Sequence, residues 1–164
     1  MNFNFSDYNV FVAGGLGDMG RELVKVLLKS KSHVKILSSS NKFDNRYESQ
    51  SKKTRLEIIK TDYSNYENLF KMFQKNCIKG KINCLISFVG SGKIEGEFPY
   101  KKKEVQRIWD INYFSNRNLA SAITEFLSKN DDFNHEYKSS HIFTSSVASS
   151  NNVGAPIEYS ASKA

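Results

Sequence analysis

Residues 10–23 read VFVAGGLGDMGREL. Val10–Ala13 is a short apolar, β-branched and aromatic run, Gly14, Gly15, Gly17 and Gly20 follow it, and a helical period then begins that places Met19, Leu23, Val26 and Leu27 on one stripe. A strand running into glycines and then into an amphipathic helix opens an α/β unit. Glycine serves such a turn because the chain reverses sharply and a pyrophosphate must approach the backbone, while the helix N-terminus offers N–H groups and partial positive charge. A tight turn without a ligand uses the same residue type, but this position after a first strand is the context the dinucleotide fingerprint requires. Gly14, Gly15, Leu16, Gly17, Asp18, Met19 and Gly20 are the candidate cofactor-binding residues here.

Outward from that turn, apolar runs and helix-period stretches alternate. HVKILSSS (33–40) reads as a second strand, followed by a polar loop over 41–53, and RLEIIKTDY (55–63) as a third strand. NYENLFKMFQKNC (65–77) predicts a helix with Leu69, Phe70, Phe73 and Cys77 inward, and KINCLISFVGSG (81–92) a fourth strand ending in glycines. A long helical pattern starts at Lys103 and breaks into two helices near Asp110, and SSHIFTSSVASS (139–150) is a fifth strand entering a Ser-rich turn. This order predicts an α/β, doubly wound parallel sheet with helices on both faces, with residues 1–164 as one domain.

Composition narrows the function classes. At 164 residues with 39% apolar content the chain suits one soluble domain, and no apolar run is long enough to cross a bilayer. The N-terminus, MNFNFSDYNV, has neither a basic start nor an apolar middle, so the expected location is the cytoplasm with no membrane partner. The net charge of +7 permits attraction to nucleic acid, yet Lys and Arg are scattered and the compact run Lys101–Lys103 fits a solvated helix face, so no specific nucleic-acid partner is expected. Cys77 and Cys84 have neither zinc nor redox spacing, and His33, His135 and His141 are dispersed, so no metal site is expected.

The cofactor choice is read after the second strand. Ser38, Ser39 and Ser40 end it, Lys42 and Arg46 follow, and the nearest acid is Asp44, a pattern that favours NADP(H) over NAD(H), because an NAD site places a carboxylate there for the ribose 2′-hydroxyl. Asp62, after the third strand, has two readings: a contact to the adenine edge, or a cap for the helix that follows. Tyr159 and Lys163 stand four apart and share a helical face, where an ammonium favours the phenolate and makes tyrosine a usable general acid or base. Ser146, thirteen residues before Tyr159, ends the fifth strand, where the ligand crevice of an open α/β sheet lies.

With TSSVAS (144–149) followed by YSASK (159–163), in a chain that opens on a dinucleotide loop, the sequence resembles the short-chain dehydrogenase/reductase family from Val10 to Ala164. The resemblance implies a Rossmann-type sheet and a small-molecule carbonyl or alcohol substrate. It implies Ser146 as the group orienting the carbonyl, Tyr159 as proton donor or acceptor, and Lys163 as the residue that lowers the tyrosine pKa and binds the nicotinamide ribose. WDIN (109–112) resembles the family's asparagine-bearing helix, which makes Asn112 the holder of a water in a proton relay; read without the family, it is a polar break between two helical stretches. Gly90 falls in the cofactor-binding segment after the fourth strand. There Ser87, Phe88 and Val89 replace the first three residues of the family's Asn-Asn-Ala-Gly, which ties the central strands together. Asp18 replaces a glycine of the classical loop. Aligned as Gly14-x-x-Gly17-x-x-Gly20, that loop resembles the extended branch of nucleotide-sugar epimerases and dehydratases. The family continues past the Tyr-x-x-x-Lys helix and commonly pairs through it and the helix bearing Asn112. The expectation is therefore the N-terminal part of a longer homo-oligomeric enzyme, inactive in this length, with a non-catalytic dinucleotide-binding module as the alternative.

Overall fold

The structure, a computed structural model, describes residues 4–39, 55–130, 139–151 and 153–164. Five strands form one all-parallel sheet: β1 (Tyr8–Ala13), β2 (His33–Ser38), β3 (Leu56–Lys60), β4 (Ile82–Ser87) and β5 (His141–Phe143), in the order β3-β2-β1-β4-β5. The helices between them are α1 (Asp18–Lys29), α2 (Tyr66–Asn76), α3 (Lys102–Trp109), α4 (Ser115–Ser128) and α5 (Ile157–Lys163). The expected doubly wound sheet is therefore present. The strand order reverses between β1 and β4, which lie side by side with Ala13 opposite Ser87. Such a switch point leaves a crevice outside the C-terminal strand ends.

Both sheet faces are covered, so the central strands read as continuous apolar runs. Side chains alternate across the sheet. Phe11, Ala13, Leu37 and Leu85 meet Leu69 and Phe73 of α2 and Leu119, Ile123 and Phe126 of α4, while Val10, Val12, Val34 and Ile36 meet Val24 and Leu27 of α1. Phe11 and Phe73 pack edge to face with centroids 5.0 Å apart, a favoured geometry for rings carrying opposite edge and face charge. On α2, Leu69, Phe73 and Cys77 are buried as expected and Phe70 is partly so. Lys101–Lys103 are exposed.

Of the stripe expected on α1, Leu27 is buried and Leu23 packs partly buried against the same core, while the other two positions are corrected. Met19 and Val26 are 61% and 55% exposed, and the buried positions are Gly20, Val24 and Leu27. Glycine packing, and not apolar content, sets the phase. A Cβ on Gly20 would fall on the Gly14 carbonyl oxygen and 2.6 Å from Gly15 Cα, so the helix must turn that position toward the loop. Once residue 20 faces inward, residues 24 and 27 follow it and 19 and 26 turn out.

The break expected near Asp110 is also refined. α3 passes into α4 without a cap through one π-helical turn, Asp110–Phe114, in which the Ser115 N–H donates five residues back to Asp110 O. β5 is shorter than its sequence pattern suggested, and as an outer strand it leaves Ile142 54% exposed. Among the described residues no helix is long and apolar enough to cross a membrane.

Candidate active site

The C-terminal strand ends carry two clusters. The first is built from backbone. The Ala13–Asp18 turn closes with the Gly17 N–H on Gly14 O at 3.0 Å, Gly14 holds φ at +72°, and Gly17 caps α1 without any side-chain acceptor. The first N–H groups of α1 therefore receive nothing from the capping side chain and face the crevice with the positive end of the helix dipole. Leu16 packs on the α1 side of the sheet. Asp18 points into solvent and pairs with Arg21, away from the turn's interior, and Met19 is exposed.

Tyr63, which the sequence did not flag, braces this turn. Its hydroxyl donates to Leu37 O at 2.7 Å, the same carbonyl that accepts from the Gly14 N–H at 3.3 Å, and burial pushes its pKa far up, so it stays a neutral strut. Ser38 is buried and Ser39 exposed at the end of β2; Ser40, Lys42, Asp44 and Arg46 lie outside the described residues. Asp62 is not the cap of α2. Asn65 is, accepting from the Asn68 N–H at 3.0 Å, while Asp62 accepts from the Ser64 N–H and hydroxyl, bonds that lower its carboxyl pKa.

The second cluster is built from side chains. Asn112, 3% exposed, lies in the π turn and is committed on every polar atom of its amide: Oδ1 accepts from Ser91 N–H at 2.7 Å, and Nδ2 donates to Ser91 O at 3.0 Å and to Ser162 Oγ at 2.9 Å. Ser162 donates onward to Tyr159 O at 2.8 Å. Asn112 thus locks α5, at Ser162 in its last turn, to the loop after β4. Both amide donors are spent, so a relay water at this residue would have to donate to its oxygen atoms.

Lys163 reaches Thr144 O with Nζ at 3.1 Å, and burial lowers its ammonium pKa. A Cβ on Gly90 would come within 2.6 Å of that Nζ and 3.0 Å of Asn112 Oδ1, so a glycine leaves the room in which lysine and asparagine converge. The Tyr159 ring lies over Gly92. Ser145 Oγ donates to Lys163 O at 3.0 Å, fastening α5 to the turn after β5. In that turn Ser146 Oγ accepts from Ala148 N–H at 3.2 Å. Among the described residues no hydrogen bond joins Ser146 to Tyr159.

The structure therefore gathers Gly90, Asn112, Tyr159 and Lys163, puts Ser146 on the adjoining turn, and sets the glycine turn alongside: Gly14 lies against Phe88, two residues before Gly90. Asn116, Ser91, Thr144 and Ser162 escaped sequence reasoning. A second asparagine one turn beyond Asn112 was the available signal. A glycine cradle with an uncapped helix start at one end, and a glycine-made opening beside a lysine at the other, fit a dinucleotide laid across the strand ends.

The family model for short chain dehydrogenases matches residues 8–164. No curated protein sequence matches the chain. Among solved structures, ElxO with NADP bound superposes with a TM-score of 0.80 at 17% identity, over 96% of this chain and 62% of that one. A short chain dehydrogenase from Leptospira borgpetersenii with bound NAD+ gives 0.76 at 19%, over 99% and 61%. A 3-oxoacyl-[acyl-carrier protein] reductase from Brucella melitensis gives 0.79 at 18%, over 99% and 62%. The chain thus spans about three fifths of the length of these structures. With nearly its whole length matched, and with the glycine turn and the Tyr–Lys helix at one edge of a parallel sheet, the chain belongs to the short-chain dehydrogenase family.

Proposed function

We propose that the protein is an NADP(H)-dependent oxidoreductase acting on a carbonyl or secondary alcohol of a small molecule. The observation that carries this reading is the convergence of Lys163 and Asn112 on Gly90, with Tyr159 one helical turn before the lysine on the same face. When bound, the nicotinamide supplies or accepts the hydride. Gly14–Gly20 would hold the pyrophosphate against the α1 N-terminus, and Lys163 would hold the ribose next to the nicotinamide. Tyr159 passes a proton to or from the substrate oxygen at its hydroxyl. Ser146 orients that oxygen once its hydroxyl turns from the Ala148 N–H.

The preference for NADP(H) rests on the serines that end β2 and on Lys42 and Arg46 after them, with no carboxylate before Asp44 to take a ribose 2′-hydroxyl. Titrating the protein with NADPH and NADH, and following carbonyl-dependent oxidation of each, tests both parts. Saturable NADPH binding that is tighter than NADH is the expected result for these 164 residues, which are expected to bind without turnover, and any turnover vanishes in Tyr159→Phe. A Tyr159→Phe variant indistinguishable from the wild type in every assay would make the protein a non-catalytic dinucleotide module.

The Gly14, Gly17, Gly20 spacing, with Gly17 serving as the helix cap, favours a second reading as a nucleotide-sugar epimerase or dehydratase. NAD(H) retained through purification, with no net consumption of added cofactor, would select it. Self-association is part of the proposal: Tyr113 and Phe114, 46% and 40% exposed on the helix bearing Asn112, are the surface for it, and sedimentation of a Tyr113→Glu variant as monomer checks it.

A further inference from the structure

The end of β4 and the helix bearing Asn112 are joined by a second asparagine whose bonds all point into the site. Ser87, buried at the last position of β4, donates from Oγ to Asn116 Oδ1 at 2.6 Å and accepts from the Val89 N–H at 3.2 Å. Asn116 Nδ2 donates to Val89 O at 3.1 Å and to Asn112 O at 2.7 Å. One amide therefore bridges the strand end, the residue before Gly90 and the backbone of Asn112.

The bridge continues on the other side of Ser87. Its carbonyl accepts from Thr144 N–H at 3.1 Å and Thr144 Oγ1 at 2.9 Å, and Thr144 O in turn accepts from Lys163 Nζ. A closed circuit results, from Lys163 through Thr144, Ser87 and Asn116 to Asn112, and through Ser162 back to the α5 backbone at Tyr159. The one Ser87 O–H is spent on Asn116 Oδ1, and Asn116 Nδ2 supplies the donations to Val89 O and Asn112 O from the helix side.

We propose that Ser87 and Asn116 form a positioning pair that holds Gly90 and Asn112 in register with Lys163, and so sets the nicotinamide end of the dinucleotide site without touching the cofactor. The inference rests on the cofactor reading above. The pair needs one hydroxyl and one amide facing each other across 2.6 Å, and the chemistry can be carried by either position.

The test compares two ligands on the same variants: NADPH, which spans the whole site, and 2′,5′-ADP, which occupies only the adenosine end. Asn116→Leu is expected to weaken NADPH binding about tenfold while leaving 2′,5′-ADP within about twofold, the size of effect one or two lost buried hydrogen bonds produce. Ser87→Asn and Asn116→Ser alone are each expected to weaken NADPH, and the double variant, which exchanges amide and hydroxyl, to recover most of the loss. NADPH affinity unchanged in Asn116→Leu overturns the proposal. Parallel loss of both ligands without recovery in the double variant makes Asn116 merely structural, and overturns it too. A wild type that binds neither ligand removes the cofactor reading itself and the proposal with it, an outcome distinct from a wild type that binds both and a variant that is indifferent.

Discussion

The two ends of the site are built from different materials. The turn after β1 is a backbone device: four glycines, a helix start with no side-chain cap and one partly buried tyrosine strut. The end near α5 is a side-chain device in which Asn112, Asn116, Ser162, Thr144 and Lys163 reach one another and Ser87, by bridges that run from 4 positions of chain, Asn116 to Asn112, to 57, Thr144 to Ser87. A backbone device fails when bulk is added, whereas a side-chain device fails when a polar group is removed. The two ends should therefore respond to opposite kinds of substitution.

The largest expected effect falls at the side-chain end. Wherever turnover is measurable, Tyr159→Phe should lower it by about a thousandfold, within the range general acid–base groups supply, and leave NADPH affinity near the wild-type value. Parallel kinetic and binding measurements check both halves. Next comes bulk at the backbone end: Gly20→Val places side-chain atoms on the Gly14 carbonyl, and a loss of about 1–3 kcal/mol in urea unfolding is expected, together with loss of 2′,5′-ADP binding.

Gly90→Ala crosses the two categories, adding bulk at the side-chain end. The new methyl meets the flexible tip of Lys163, so stability should hold, while NADPH binding falls about tenfold and 2′,5′-ADP binding does not, as titration calorimetry would show. A smaller effect of opposite sign is expected from Asp18→Gly. Removing an exposed carboxylate from the first turn of α1 should tighten NADPH by roughly threefold at low salt, with the gain shrinking as salt rises.

The smallest effect is a pH dependence confined to one end. Burial lowers the Lys163 pKa below the usual lysine value, so its ammonium is lost earlier as pH rises than a free lysine would lose it. NADPH affinity should decline through that lowered pKa on the alkaline side, 2′,5′-ADP affinity should stay flat there, and Lys163→Met should remove the decline.

The same division explains what the sequence revealed. The β1 turn and its helix were legible because strand, glycines and helix are consecutive, and the sheet followed from the alternation of periods. The phase of α1 was misread because it is fixed by contact between Gly20 and the Gly14 carbonyl, which hydrophobic periodicity does not register. Asp62 and Asn65 are both good capping residues three apart, and only the start of α2 at Tyr66 decides between them. Asn112, Tyr159 and Lys163 were found through short motifs. Asn116 was not, because its partners Ser87 and Val89 lie 29 and 27 positions away and its one local sign, an asparagine one turn beyond Asn112, does not name them. The replacement of the asparagine-rich motif after β4 was visible, but its compensation from the helix was not.

One dinucleotide is expected to span both ends. The direct measurement is a fluorescence titration of NADPH into the protein, repeated with 2′,5′-ADP as competitor and with Lys163→Met in place of the wild type. Saturable binding that 2′,5′-ADP displaces fully and that Lys163→Met weakens is the expected result. Binding that is not displaced, or that ignores the loss of Lys163, would contradict it.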